Sequence, residues 1–421
     1  MIRWITDRLG TAAYGGFGSP SGLRVVDVRM LRDGADNEES FVRARVHEVV
    51  AYLEQGDRVV ICCDYGMSRS NAIAAGVLAV IDRIPLESAL ARVADATGEK
   101  QMKIDLIGSV RAALEGAREH PSDGRILVLG SQNFVGRALL RALNSGQLPK
   151  PFDEDLLIAD ALRLEAAVTE TVPAAIVVAW RPHPLDTNRA VGDLIAGLRN
   201  VLDVCRVERI GIVFVSGHQV FAASRHVREY MHIEHDKTYP GGAIGDGLHL
   251  AECLVQNYAD RHGLSTLIVR PTHLYGVEDE RPSFLSTYVR NAICGSVVHT
   301  HCFDDGRPLV DLLHVEDFAA AVNVATSRRL TGILHIAGGE PIPTDELARD
   351  IVEMTGTNSA VETVRMSATA PRALLDASRA RKALGWAPIV DRRKGLQELI
   401  AQSRARLRAP YSQTKETAGD R

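Results

Sequence analysis

The sequence predicts two α/β domains joined end to end. Apolar strand-like runs alternate with helix-spaced runs up to residue 118, and the alternation starts again at residue 125. The segment REHPSDG between them combines charge, proline and glycine, which is typical of a linker. We therefore predict domains at 1–118 and 125–405, a linker at 119–124 and a disordered polar tail at 406–421.

The composition is that of a globular protein. Of the 421 residues, 46% are apolar and 24% are charged, with a formal net charge of −4. A general binder of nucleic acid or membrane surfaces would carry a basic excess. No apolar run reaches the ~18 residues that span a bilayer. We expect neither nucleic acid nor a membrane as a partner.

The six cysteines are scattered and show neither a disulfide framework nor zinc spacing. We therefore expect no metal. The first residues, MIRWITDRLG, contain no apolar leader region. Together these features favour a reducing, cytoplasmic location, which also suits a working thiolate.

The stretch CDYGMSRS lies between the apolar run RVVICC and the small-residue run NAIAAGVLAVI. A cysteine becomes a good nucleophile when positive charge or a helix N-terminus stabilises its thiolate. Cys63 is placed at such a helix start, and Arg69 supplies a guanidinium that can hold two phosphate oxygens. Ser70 is placed to hydrogen-bond the thiolate. The intervening backbone amides can form an anion-binding loop, which consists of Asp64, Tyr65, Gly66, Met67 and Ser68.

This Cys-x5-Arg-Ser pattern resembles the signature loop of the cysteine-dependent phosphatases, most closely the dual-specificity branch. The segments WITDRL and DVRMLRDGAD extend the resemblance over the first domain. It implies that Cys63 attacks phosphorus to form a phosphocysteine, while Arg69 and the loop amides hold the oxygens. It also implies a general acid upstream, for which Asp33, 30 residues before Cys63, is the first candidate and Asp36 the second. The family's histidine before the nucleophile is replaced here by Cys62, which leaves its effect on activity open.

A glycine-rich turn opens the second domain. The stretch RILVLGSQNFVGRALLRAL carries Gly130, Asn133 and Gly136 at the spacing of G-x-x-G-x-x-G. The two glycines permit the turn and close helix packing, whereas Asn133 is expected to bring a side chain toward the position of a pyrophosphate. Phe134 and Val135 complete the predicted cofactor-binding segment.

Residues 125 to about 405 resemble the extended short-chain dehydrogenases/reductases of the NAD-dependent epimerase/dehydratase type. The segments VFVSGHQVF, VRPTHLYG and DLLHVEDFAAAV carry the resemblance in order. It implies a Rossmann-type, doubly wound parallel sheet with a smaller C-terminal substrate subdomain. It also implies a Tyr-x3-Lys site with a nearby Ser or Thr, and the aligned positions hold Ile244, Leu248 and Gly217. Because neither Ile nor Leu can carry a proton, this active site is degenerate.

The cofactor prediction is correspondingly weak. No acidic residue for the adenosine ribose can be assigned, and Asp153, Glu154 and Asp155 are weak candidates. NAD(P) in the second domain is therefore doubtful, and a phosphatase of this type requires no cofactor.

The leading interpretation is a cytoplasmic cysteine-dependent phosphatase acting on a phosphorylated protein or a small phosphomonoester. Its second domain would be a non-catalytic epimerase-like domain. One alternative is an NAD-dependent nucleotide-sugar epimerase or dehydratase with a regulatory phosphatase-like domain, which could use displaced residues such as His218, His249 or Tyr239. Another is a non-enzymatic protein that senses phosphate and nucleotide. The resemblance also implies a homodimer through the second domain.

Overall fold

In the computed structural model the chain divides into two compact units, each described by itself below. The structure describes the following residues: 1–16, 22–33, 37–99, 102–115, 125–143, 145–146, 158–171, 173–182, 185–222, 231–370 and 373–408. The first unit contains Met1–Asp123, Pro151–Pro173 and Gly197–Ile210, and the remaining segments form the second. The expected linker at 119–124, and the candidates Asp36, Asp153, Glu154 and Asp155, lie outside the described residues.

The first unit is built on a small sheet. Its strands are β1 (Arg3–Trp4), β2 (Leu9–Ala13), β3 (Leu23–Asp27) and β4 (Arg58–Cys63). Among the described residues the sheet order is β1-β2-β4-β3, with β4 parallel to both β2 and β3. Five of the six residues of β4 are buried, which explains its continuous apolar sequence.

Helices cover this sheet. They are α1 (Glu39–Glu54), α2 (Arg69–Ile81), α3 (Leu86–Thr97), α4 (Ile104–Glu115) and α6 (Ala161–Thr171). The helix α3 ends at Gly98, whose φ of 71° provides the left-handed C-cap that glycine favours. The apolar faces of α1 to α4 pack into one core with the buried residues of β4.

Two segments that we expected in the second domain belong to the first unit. The helix α6 and the second half of α7 (Asn188–Val207) group with α4. A buried ion cluster accounts for this: Arg111 of α4 lies 2.7 Å from Glu165 and 2.6 Å from Glu208. A buried guanidinium needs such partners wherever they fall in the sequence.

The second unit contains a parallel sheet. Its strands are β5 (Ile126–Leu129), β6 (Ser145–Gly146), β7 (Ala175–Val178), β8 (Gly211–Val215), β9 (Thr266–Pro271) and β14 (Gly332–Ile336). Among the described residues the order is β14-β9-β8-β7-β5-β6, and every pair is parallel. The strand order reverses beside β5, which is where ligands bind in such sheets. The predicted Rossmann-type parallel sheet is confirmed.

Helices and a short 3-10 turn connect these strands. They are α5 (Phe134–Ala142), the 3-10 turn His218–Phe221, α8 (Gly242–His262), α10 (Val315–Ser327) and α12 (Ser378–Leu384). Buried side chains of α5, α10 and the sheet form one core.

A smaller mixed region follows. It contains β10 (His273–Tyr275), α9 (Phe284–Ile293), β11 (Val298–Phe303), β12 (Leu309–Val310), β13 (Leu312–His314), β15 (Ile342–Pro343), α11 (Thr344–Thr355), β16 (Val361–Met366) and α13 (Arg392–Arg408). Its helices share a separate core. Because α13 continues to Arg408, the expected tail at 406–421 begins too early, and residues 409–421 lie outside the described residues.

Candidate functional site

The turn between β5 and α5 is the candidate dinucleotide site. Gly130 follows β5 directly, and its φ of 91° is one that glycine adopts without strain. A Cβ on Gly130 would collide with the backbone of Trp180, and a Cβ on Gly136 would collide with the carbonyl of Gly130. Only glycine fits at either position, so the N-terminus of α5 comes close to the end of β5.

Asn133 turns its side chain into the fold. Its Oδ1 accepts a hydrogen bond from the Gly136 amide at 2.8 Å, and its Nδ2 donates to the Ala179 carbonyl at 2.8 Å. The residue is thus the N-cap of α5, a position for which asparagine is favoured. This corrects the expectation that its side chain points toward a pyrophosphate.

The two residues after Asn133 offer no polar side chain. Phe134 is buried in the core, with the guanidinium of Arg281 4.8 Å from its ring centre. Val135 is half-buried. Phe134 and Val135 can therefore contact a dinucleotide only through their backbone groups in the first turn of α5.

The positions of the expected catalytic triad hold no titratable side chain. Leu248 is fully buried on α8, and its Cδ1 lies 3.5 Å from the point that a Cβ on Gly217 would occupy. Ile244, on the same helix, is 40% exposed. Proton transfer at this site has to use other residues.

A cavity of about 320 Å³ lies beyond the carboxyl ends of β8 and β9. Apolar and aromatic side chains form much of its wall: Phe284, Tyr288, Phe303, Pro308, Leu309 and Val310. His218, Thr272, His273 and His301 also line it. A mainly apolar cavity with a few polar groups is typical of a small-molecule site.

Two of these imidazoles form a pair. The ring centres of His218 and His273 are 6.0 Å apart. Burial lowers the pKa of His218 to about 4, against hydrogen bonds to the backbone at Pro271 and Thr272, and Arg181 lowers it further. Burial, with the nearby charge of His218, lowers the pKa of His273 to about 3. Both rings are therefore neutral at neutral pH and can accept a proton.

The other displaced residues named from the sequence lie elsewhere. His249 is on α8, where its Nδ1 lies 3.1 Å from the Thr238 hydroxyl. Tyr239 has the Lys237 ammonium 5.6 Å from its ring centre. Neither lines the cavity.

A buried polar network links the strands next to the cavity. The Ser216 hydroxyl donates to Glu252 at 2.5 Å, and Glu252 accepts two hydrogen bonds from Arg270. The Nη1 of Arg270 lies 3.2 Å from Nε2 of His335. All four residues are buried. Because the Ser216 hydroxyl is engaged by Glu252, the network positions the end of β8.

Cys63 ends β4 at the base of a tight loop. Its Sγ accepts a hydrogen bond from the Gly66 amide at 3.2 Å and lies 3.4 Å from the Ser70 hydroxyl. Burial raises the pKa of Cys63, but hydrogen bonds from Ser70 and from the backbone at Met67 outweigh it, so the pKa lies below its usual value. Burial raises the pKa of the adjacent Cys62 to about 11. The loop therefore stabilises one thiolate of the pair.

Arg69 is buried beside this loop and is engaged within the chain. Its Nη1 donates to the carbonyls of Arg29 and Leu31. Its Nη2 donates to Asp64 at 2.5 Å, and its Nε lies 3.7 Å from the Asp33 carboxylate. The structure thus brings Arg69, Asp64 and Asp33 together.

The other residues of the loop differ in exposure. Tyr65 and Met67 are exposed, whereas the Ser68 hydroxyl accepts a hydrogen bond from the Lys103 amide. Gly66 has a φ of 68°, and a Cβ there would collide with the backbone of Ala12. The backbone bend expected at Gly66 therefore needs glycine.

Sequence reasoning missed His273 and the side chain of Arg181. Arg181 donates to the carbonyls of Val215 and Ser216, so it joins the ends of β7 and β8. Arg181 comes three residues after the end of β7, and His273 comes two residues after the end of β9. Polar residues just after apolar strands are the signal that could have identified them.

Two features are absent from the described residues. No helix in them is long and apolar enough to cross a bilayer. No group of three or more His, Cys, Asp or Glu side chains in them is arranged to hold a metal ion.

Similar proteins match the second domain. A dTDP-glucose 4,6-dehydratase of Streptomyces niveus is 28% identical over 311 residues, which cover 66% of this chain and 91% of that protein. GDP-L-fucose synthase 1 of Arabidopsis thaliana is 31% identical over 154 residues, or 34% of this chain and 47% of that protein.

Solved structures share the fold. UDP-glucose 4-epimerase of Thermotoga maritima, solved with UDP-glucose, has a TM-score of 0.57 at 19% identity, covering 67% of this chain and 99% of that one. A dTDP-glucose 4,6-dehydratase of Bacillus anthracis in complex with NAD has a TM-score of 0.58 at 18% identity. The match covers 67% of this chain and 96% of that one.

These relatives contradict the predicted activity. The proteins that this chain resembles in sequence include dTDP-glucose 4,6-dehydratases, not cysteine-dependent phosphatases. The interpretation as a phosphatase with a non-catalytic second domain is therefore wrong, and the epimerase/dehydratase alternative is the one supported. The resemblance of the first domain to phosphatases stays a prediction. The model of the NAD dependent epimerase/dehydratase family matches residues 126–336, half of the chain, and the chain belongs to that family.

Proposed function

We propose that this chain is an NAD-dependent enzyme that modifies the sugar of a sugar nucleotide. The observation that carries the proposal is the placement of two sites at one edge of the parallel sheet. The glycine turn follows β5, and the cavity follows β8 and β9. A dinucleotide in the turn would therefore extend along the same sheet edge as a ligand in the cavity.

The residues of the β5–α5 turn fit a dinucleotide. Gly130 and Gly136 allow the N-terminus of α5 to pack against the end of β5, and the capped N-terminus of α5 offers its positive end to a pyrophosphate. NAD, when bound, would accept and return the hydride that these side chains cannot carry. The nicotinamide end fits less well, since Leu248 replaces the lysine expected there.

The cavity suits a sugar. Aromatic walls from Phe284, Tyr288 and Phe303 can pack against a pyranose ring. Thr272 also lines the cavity, and its buried hydroxyl has no hydrogen-bond partner among the described residues. The names of the similar proteins suggest dTDP-glucose and UDP-glucose as first substrates to test.

The test is conversion of these two sugar nucleotides by the full chain in the presence of NAD. We expect either a 4-epimer or a product that has lost one water, detected by chromatography and mass spectrometry. Ala373→Phe, which fills the cavity, should abolish conversion, whereas Ala360→Phe, at an exposed position outside it, should not. Absence of any product from a folded wild-type protein, over a panel of hexose nucleotides, would refute the proposal.

A further inference from the structure

We propose that His218 takes the proton from the reacting sugar hydroxyl, with His273 as the second imidazole of the site. The inference rests on the function proposed above and names the residue that replaces the missing tyrosine. Three observations support it: the position of His218 in the cavity, the engagement of the other titratable groups there, and the hydrogen bonds that orient its ring.

The position follows from the fold. His218 opens the 3-10 turn after β8, directly beside Gly217. Because Gly217 has no side chain and Leu248 is apolar, these positions supply neither the hydroxyl nor the ammonium of the expected triad. His218 follows β8 and His273 follows β9, and these neighbouring parallel strands have their carboxyl ends at the same sheet edge.

The other titratable groups lining the cavity are engaged or lie at its rim. Asp311 accepts hydrogen bonds from the backbone amides of Gly339 and Glu340. Burial raises the pKa of Tyr288, so its hydroxyl keeps its proton at neutral pH. His301 is exposed on β11. The His218–His273 pair therefore remains as the proton acceptor among the described lining residues.

Hydrogen bonding orients the His218 ring. Hydrogen bonding with the backbone at Pro271 and Thr272 raises the pKa of His218 against the larger effect of burial. A neutral imidazole has one donor nitrogen and one acceptor nitrogen. The nearby Arg181 charge opposes protonation, so the ring is neutral at neutral pH before the reaction.

The proton balance is simple. The hydroxyl proton moves to a ring nitrogen of His218, which becomes an imidazolium, as the C–O bond becomes C=O. An oxidised nicotinamide cofactor, when bound, would supply the acceptor for the carbon-bound hydrogen, which would leave as hydride. In the reverse direction His218 returns the proton, so one histidine serves both directions.

The first test does not depend on turnover. Histidine imidazole signals of the full chain, assigned with His218→Gln, are followed by NMR while UDP-glucose or dTDP-glucose is added. We expect the His218 signal to shift and that of His299, an exposed histidine outside the cavity, to stay. An unmoved His218 signal would overturn the inference.

The second test measures turnover. His218→Gln should lower kcat by about 100-fold or more with little change in KM, and added imidazole should partly restore His218→Ala. His299→Gln should behave as wild type. Full activity of folded His218→Gln overturns this inference while the proposed function stands. A wild type without any turnover refutes both, because His218 then has no reaction to serve.

Discussion

Glu252 and Arg270 face each other in two hydrogen bonds of 2.9 and 2.7 Å, and both side chains are almost fully buried. The pair joins α8 to β9 next to the candidate cavity. It also holds the Ser216 hydroxyl, so it determines where the turn that carries His218 begins.

Glu252→Leu should strongly destabilise the second unit. Removing the carboxylate leaves the Arg270 guanidinium buried without its charged partner, which typically costs about 3–5 kcal/mol. Urea denaturation should show this loss in the free energy of unfolding. The matched control is Glu353→Leu, which removes an exposed carboxylate 2.6 Å from Arg393 and should cost about 1 kcal/mol or less. Equal effects of the two substitutions would contradict the assigned role of the pair.

The second unit should lose stability in acid because of His335. Burial, together with the charge of Arg270, lowers the pKa of His335 to about 3, whereas an unfolded histidine has a pKa of about 6.5. Between pH 6.5 and about pH 3, His335 binds a proton in the unfolded chain but stays neutral in the native chain. The free energy of unfolding therefore falls as the pH drops toward about 3. The slope approaches about 1.4 kcal/mol per pH unit for each such histidine.

His335→Gln should flatten this dependence, because glutamine does not titrate and can still accept a hydrogen bond from Arg270. The measurement is the free energy of unfolding between pH 7 and about pH 5. His299→Gln, at an exposed position, should leave the slope unchanged. If both variants keep the wild-type slope of unfolding free energy against pH, the assignment of His335 as a buried neutral residue is wrong.

Cys63 should react with iodoacetamide before Cys62. Its thiolate is stabilised by Ser70 and the loop amides, whereas burial raises the pKa of Cys62 to about 11. Peptide mapping against pH should place the midpoint for Cys63 below the usual ~8.5. Ser70→Ala should move it upward, while Ser109→Ala, which removes a hydroxyl bonded within α4, should not. Preferential labelling of Cys62, or an unchanged midpoint in Ser70→Ala, would disprove this account of the loop.

Local patterns were enough to predict much of this fold. The apolar run ending at Cys63 is β4, and RILVLG followed by helix-spaced residues is the β5–α5 turn with Gly130 in the predicted left-handed bend. Buried parallel strands and glycine turns leave such signals because each depends on neighbouring residues only.

Long-range contacts left no comparable signal. The ion cluster of Arg111 draws Glu165 and Glu208 into the first unit, although they follow β5 in the sequence. His218 and His273 are separated by α8 and meet only because parallel strands end at one edge. The expected direction of the Asn133 side chain was wrong because helix capping and ligand binding favour the same residue type. The expected homodimer stays a prediction.

The most direct test of the account is titration of the full chain with NAD by calorimetry. A dinucleotide site in the β5–α5 turn predicts saturable binding by wild type. Binding should be lost in Gly136→Ala, whose Cβ would collide with the Gly130 carbonyl, and kept in Gly192→Ala, where a Cβ meets open space. Absence of binding to wild type, or unchanged binding to Gly136→Ala, would contradict the claim that this turn holds the cofactor.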